Sequence, residues 1–139
     1  MSALHRVSTS FEGGMKFKSE INGHELFLDV AEEDGGENAG PRPKALLLTS
    51  LMGCTGMDVA SLLKKMHVEV DHFSMDCEAD LTDEHPRVYS EIRLIYRFQA
   101  NEEDRAKIEK AVKLSQEKYC GVSEMLKKVC PLHWEIQYL

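Results

Sequence analysis

Between Pro43 and Leu63 the chain is apolar on almost every side of a helix. Leu46, Leu47, Leu48, Leu51, Met52, Met57, Val59, Ala60, Leu62 and Leu63 leave no broad polar face. Such a helix has to be covered all round, in the middle of a fold or between subunits. Its longest uncharged stretch, Ala45 to Met57, has 13 residues. A membrane span takes about 20, so the segment reads as buried core and no membrane partner is expected. The whole chain has 139 residues, which suits one domain over 1–139, with residues 1–10 as an N-terminal tail. A net charge of -7 repels phosphate backbones and argues against a nucleic-acid partner.

The flanking segments read as strands and helices. Met15, Phe17, Ser19 and Ile21 alternate with charged residues, Asn22-Gly23 is a strong hairpin turn, and Leu26, Leu28 and Val30 alternate again. Glu32 to Gly40 is acidic and Gly-rich and reads as a solvated loop. Gly40-Pro41-Arg42-Pro43 then stiffens the start of the apolar helix. Further strands are expected over Phe73–Leu81 and Ile92–Phe98, with a turn at Asp83-Glu84-His85-Pro86. Asn101 reads as the N-cap of a helix with Ile108, Ala111, Val112 and Ser115 on one face. A short helix from Val122 to Val129 and a strand through Leu132, Trp134, Ile136 and Tyr138 follow. Hairpins with segregated helices give an α+β fold of antiparallel sheets packed around a long central helix. The first hairpin has little core of its own, so an intertwined homodimer is expected.

Four cysteines and an N-terminus without an apolar run point to a reducing, cytoplasmic setting. Cys54, in Leu51-Met52-Gly53-Cys54-Thr55-Gly56-Met57-Asp58, reads either as an inert core thiol or as a reactive one. Small neighbours leave room for a ligand, and Asp58, four residues on, shares its helix face. Cys120 reads either as a small residue filling a kink or as a thiol at a helix N-terminus, where exposed N–H groups favour thiolate. That local field makes Cys120 the more acidic of the two. Cys77 reads as core and Cys130 as structural or partly exposed. No Cys or His spacing marks a zinc site, so no metal is expected. Arg42 reads as a surface cation or as a partner for thiolate and for negative charge developing on oxygen.

The segment Gly40-Pro41-Arg42-Pro43-Lys44-Ala45-Leu46-Leu47-Leu48-Thr49-Ser50-Leu51-Met52-Gly53-Cys54-Thr55-Gly56-Met57-Asp58-Val59 resembles the central-helix signature of the OsmC/Ohr family of osmotically induced and organic-hydroperoxide-resistance proteins. Tyr119-Cys120-Gly121-Val122-Ser123 resembles that family's second motif, and the two cysteines stand 66 positions apart, as the family requires. The Gly-Pro-x-Pro start resembles a less characterised OsmC-like branch. The resemblance implies an intertwined homodimer and a thiol peroxidase without a cofactor, acting on organic hydroperoxides or hydrogen peroxide in oxidative-stress defence. It implies Cys54 as the peroxidatic thiolate and Cys120 as the resolving thiol. An external dithiol, such as a lipoyl protein, would restore both. The family's activating Glu, nine or ten residues before the first Cys, is replaced by Lys44 and Ala45. The N-terminal strands carry no Arg between Val7 and Gly40, and Gly121 stands where Pro is usual. Arg42 or Lys44 is left to supply the charge, with Asp58 beside the thiol. Two other readings are a non-catalytic binder of a small apolar molecule or lipid and a redox sensor using the same cysteines.

Overall fold

The structure, a computed structural model, describes residues 3–139. Met1 and Ser2, the start of the segment read as a tail, lie outside the described residues. The chain forms two compact units, one ending at Leu47 and the other running from Leu48 to Leu139.

The first unit holds a three-stranded antiparallel sheet in the order β1 (Ser8–Phe11), β2 (Phe17–Ile21), β3 (His24–Leu28). Ser8 to Ser10 of the tail segment therefore pair with β2. Asn22 and Gly23 close the β2–β3 hairpin with φ of 51° and 79°, both central residues left-handed, as a two-residue hairpin turn of this hand requires. Among the described residues of this unit only Ser19 and Asp29 are buried, while Phe11, Met15 and Phe17 are exposed.

Asp29 explains why the acidic loop after β3 is ordered rather than simply solvated. Its carboxylate accepts from the backbone N–H groups of Val30 (2.8 Å), Glu37 (3.0 Å) and Ala39 (3.1 Å). The loop closes so tightly that a Cβ on Gly40 would sit 2.1 Å from the Phe27 carbonyl oxygen. Burial pushes the Asp29 carboxyl up, but the bonds from Ala39, Val30 and Glu37, with Lys16 nearby, outweigh it, and the net shift is downward. A carboxyl lowered on folding stabilises fully above its unfolded value, about 3.9. That contribution is lost as pH falls through the lower folded value. Protection of the Glu37 and Ala39 amides, relative to their unfolded exchange rates, should therefore fall as pH drops below about 4 and through the lower folded value. In Asp29→Asn the same amides should be less protected at neutral pH and should lack that acid step.

The second unit joins most of α1 (Pro43–Lys65) to a sheet in the order β4 (His72–Leu81), β5 (Tyr89–Gln99), β6 (Leu132–Tyr138). Pro43 opens α1, where its missing N–H costs nothing. The buried residues of α1 are Leu51, Thr55, Val59 and Leu63, one stripe at a spacing of four. Met57 remains 76% exposed, so a single copy of the chain covers one side of a helix that is apolar on several. At 23 residues α1 is long and apolar enough to cross a membrane by length and composition alone. The core-segment reading thus rests on the buried stripe, not on length.

The strand pair β4–β5 is antiparallel, but β6 runs parallel to β5, Ile92 facing Leu132 and Phe98 facing Tyr138. This corrects the all-antiparallel expectation. The connection from β5 to β6 carries α2 (Arg105–Leu114) and α3 (Gly121–Lys127), and a helical crossover of this length returns a strand in the same direction. One core cluster gathers Val59, Leu63, Leu94, Tyr96, Phe98, Ile108, Ala111 and Val112. Fully burying each of the large apolar chains contributes roughly 1.5–3 kcal/mol. A second cluster joins Leu51, Tyr89, Ile92, Cys120, Leu126 and Cys130, with Cys54 packed against it.

Two local details depart from the sequence reading. Asn101 precedes a single 3₁₀ turn, Glu102–Asp104, and its side chain makes no capping bond. Between α2 and α3 the chain makes a π-helical turn, Ser115–Tyr119, closed by the Cys120 N–H on the Ser115 carbonyl at 2.8 Å.

Candidate functional site

Cys54 and Asp58 lie one turn apart on α1, and Cys120 is the N-cap of α3. The two sulfurs and a carboxylate oxygen of Asp58 all lie within 4.8 Å of one another. Cys54 and Asp58 are partly exposed and Cys120 is buried, so solvent reaches the cluster from the α1 side. All four cysteines are free thiols. Arg42 and Lys44 belong to the first unit. Arg42 bonds Asn38 Oδ1 at 2.7 Å and the Gly40 carbonyl at 3.2 Å, and Lys44 lies in the first turn of α1.

Cys120 holds its place by ordinary capping. Its sulfur accepts from the Ser123 backbone N–H at 3.3 Å, the N-cap bond to the third helical residue. The helix end does not make it acidic. Burial pushes the Cys120 thiol up to about 11, Cys54 and Asp58 push in the same direction, and the Ser123 bond opposes them without winning. This overturns the expectation that Cys120 is the readily ionised thiol. Cys77 is half-buried on β4 and is likewise held up at about 11 by burial. Cys130 is buried outright and raised for the same reason.

Behind the cluster runs a buried chain of polar groups that the sequence reading missed. Ser115 donates to Asp58 Oδ2 at 3.0 Å. Having spent its only proton, Ser115 must accept from Thr55 at 2.7 Å. Thr55 in turn accepts from the Tyr96 hydroxyl at 2.6 Å, and Tyr96 accepts from the Gln116 amide at 2.7 Å. Ser123 donates to the Gln116 carbonyl oxygen at 2.6 Å. Every hydroxyl along Tyr96, Thr55 and Ser115 therefore points its proton toward the Asp58 carboxyl group. Thr55, Ser115 and Ser123 are fully buried, as is Tyr96, and Gln116 is nearly so. Among the described residues no buried side-chain nitrogen or oxygen lacks a partner. The π turn makes this possible, because it brings the adjacent residues Ser115 and Gln116 to the interior together. Three polar residues on otherwise apolar faces, Thr55, Tyr96 and Ser115, were the available signal.

The glycines flanking Cys54 play different parts. A Cβ at Gly56 would meet the Met75 terminal methyl at 2.7 Å, so the close neighbour is a flexible side chain and not a backbone. Gly53 has open space in front of it. Gly121 also has room for a Cβ, and Cys120 before it is already extended at φ -76°, ψ 102°, as a residue preceding Pro must be. Gly121→Pro is thus expected to raise stability by about 0.4–1 kcal/mol, measured by denaturant unfolding, because it fixes the first helical position and reduces the freedom of the unfolded chain.

On the far side of Cys54's helix lies an open, mostly apolar groove of about 470 Å³, lined in part by Met52, Gly53, Met57, Phe73 and Met75.

The family described as OsmC-like protein matches residues 35–135. Protein YhfA of Escherichia coli (strain K12) is 35% identical over 120 residues, spanning 83% of this chain and 84% of that protein. Among solved structures, a hypothetical protein from Aquifex aeolicus VF5 superposes with a TM-score of 0.81 at 30% identity, covering 99% of both chains. The organic hydroperoxide resistance protein OhrB of Bacillus subtilis has the same fold, with a TM-score of 0.68 at 15% identity over 97% of this chain and 98% of that one.

Proposed function

Because the chain belongs to the OsmC-like protein family, we propose that it is a thiol-dependent peroxidase reducing organic hydroperoxides or hydrogen peroxide, with Cys54 and Cys120 as its redox pair. The observation that carries this reading is the approach of two sulfurs from distant parts of the chain to within 4.8 Å, one of them partly exposed.

In this reading the Cys54 thiolate attacks the O–O bond. Its sulfur takes one oxygen and becomes a sulfenic acid, and the other oxygen leaves as alkoxide and picks up a proton from solvent. The Cys120 thiol then displaces the hydroxyl from Cys54. A disulfide forms, and the thiol proton leaves with the hydroxide as water. An external dithiol reduces the disulfide and is itself oxidised, so one hydroperoxide and one dithiol yield an alcohol, water and an oxidised dithiol. Cys120 attacks as thiolate, so a thiol held up at about 11 by burial has to give up its proton as it closes on the sulfenic acid. Positive charge for the Cys54 thiolate is assigned to Arg42 or Lys44. The protein works as a cytoplasmic homodimer of single-domain chains in oxidative-stress defence, α1 central to each pair. The exposed apolar side of α1 supports the dimer.

The test is stopped-flow oxidation of the reduced protein by cumene hydroperoxide. Loss of two thiols per chain, with a Cys54–Cys120 disulfide found by peptide mapping, is expected. Thiol loss no faster than that of free cysteine rejects the reading.

The apolar groove favours one alternative, a non-catalytic carrier of a small apolar molecule or lipid. Native mass spectrometry of the purified protein separates the two. A co-purifying apolar molecule together with sluggish thiols supports the carrier; an empty groove with a readily formed disulfide rejects it.

A further inference from the structure

We infer that the reduced cluster of Cys54, Asp58 and Cys120 is a binding site for a soft divalent cation, with zinc the ion that fits its donors. The inference rests on the geometry of the cluster alone and holds whether or not the thiols reduce hydroperoxides.

The donor set is two sulfurs and one carboxylate oxygen, all within 4.8 Å of one another. Zinc binds thiolate sulfur at about 2.3 Å and carboxylate oxygen at about 2.0–2.2 Å, which puts neighbouring donors of a tetrahedral site a little under 4 Å apart. Side-chain rotations that shift the donors by about 1 Å close the difference. Sulfur donors select against magnesium and calcium, which take oxygen. Three protein ligands leave the fourth position to water or another small ligand, as in zinc sites that stay open.

The surroundings are those a metal ligand needs. The Asp58 carboxylate is oriented by the Ser115 hydroxyl at 3.0 Å, and Ser115 is held by Thr55 and Tyr96 behind it. The Cys120 sulfur accepts an N–H from Ser123 at 3.3 Å. Such outer contacts fix ligand geometry and typically govern affinity by about 10–100-fold. Cys54 and Asp58 are partly exposed, so an ion can reach the cluster. The sequence shows none of this, because its metal signatures depend on short spacings, whereas here one helical turn and one distant N-cap supply the donors.

Binding replaces the thiol protons, which leave to the buffer, and no electrons move. The occupied site ties up both sulfurs, so a bound ion and a Cys54–Cys120 disulfide exclude each other. Oxidation would release the ion, and the ion would shield the thiols.

The experiment titrates zinc into the reduced, metal-free protein under argon in competition with a chromophoric chelator, with cobalt as a spectroscopic substitute. One ion per chain is expected, with a cobalt spectrum of intense tetrahedral bands and near-ultraviolet thiolate charge transfer. Cys54→Ser, Cys120→Ser and Asp58→Asn should each weaken binding by roughly 100-fold, at least the upper end of what loss of an outer contact costs. Cys77→Ser and Cys130→Ser should bind normally, and the disulfide form should not bind. The inference is overturned if the chelator keeps all the zinc, if cobalt gives only weak octahedral bands, or if binding follows Cys77 or Cys130. The cobalt spectrum of the wild-type protein decides the matter even if a variant folds poorly. A protein that binds zinc but consumes no hydroperoxide would defeat the peroxidase reading and leave this one standing; the converse result would do the opposite.

Discussion

Cys54→Ser is expected to lower hydroperoxide consumption to the background of free cysteine, whereas Cys120→Ser should keep the first oxidation and lose the turnovers that follow. The asymmetry comes from the order of bond changes. In the proposed reaction Cys54 takes the oxygen, and Cys120 acts only once a sulfenic acid exists. Without Cys120 the fast phase should end after about one equivalent of peroxide per chain, with Cys54 trapped as sulfenic acid, and excess oxidant should then consume a second equivalent in driving it to sulfinic acid. Intact-mass spectrometry reads this as one added oxygen, then two. The variant should fold, because Ser is among the preferred N-cap residues and its oxygen can accept from Ser123 as the sulfur does. Equal turnover in Cys120→Ser and wild type would remove Cys120 from the mechanism. Full activity in Cys54→Ser would remove the whole scheme.

Thr55→Val is expected to destabilise the second unit by roughly 2–5 kcal/mol, although the two side chains have almost the same shape. Thr55 sits in the middle of the chain of hydroxyls. It accepts from Tyr96 and donates to Ser115, at 2.6 and 2.7 Å. Losing its oxygen leaves a fully buried Tyr96 hydroxyl without an acceptor and Ser115 with one bond fewer. Each buried polar group stranded in this way costs about 1–3 kcal/mol. Chemical denaturation measures the loss. A change under about 1 kcal/mol would mean that the Tyr96 proton finds another acceptor and that the ordered direction of the chain is wrong. The same variant should loosen Asp58, so zinc affinity and disulfide formation should fall with stability.

Much of this molecule can be read from local patterns. Asn22-Gly23 fixes a hairpin because few residues accept left-handed φ values, and the structure has them there. Pro43 and the alternating runs of β4 and β5 likewise act within a few residues. What could not be read depends on partners remote in sequence. The parallel setting of β6 follows from the crossover, not from the composition of Leu132–Tyr138. Asp29 looks like any acidic residue in an acidic stretch, and only its three backbone donors, up to ten residues on, show that it holds the loop. Cys120 sits where expected at a helix end, yet its protonation is decided by burial and by Cys54 and Asp58. Asp58 beside Cys54 was legible from the spacing of four residues on one helix, whereas the approach of Cys120 to them was legible only through resemblance to a family.

The turn between α2 and α3 contains one residue more than an α-helix would use. Each residue in a helix turns the chain by about 100°, so this single surplus residue sets the angle at which everything after it leaves. Deleting any one position from Ser115 to Tyr119 would return the segment toward ordinary winding, in which Ser115 and Gln116 could not both face inward, and the chain of hydroxyls behind the two thiols would lose a member. The support behind the sulfur pair is thus specified partly by a count of residues, and a frame-preserving deletion in this turn would disturb it with every cysteine still in place.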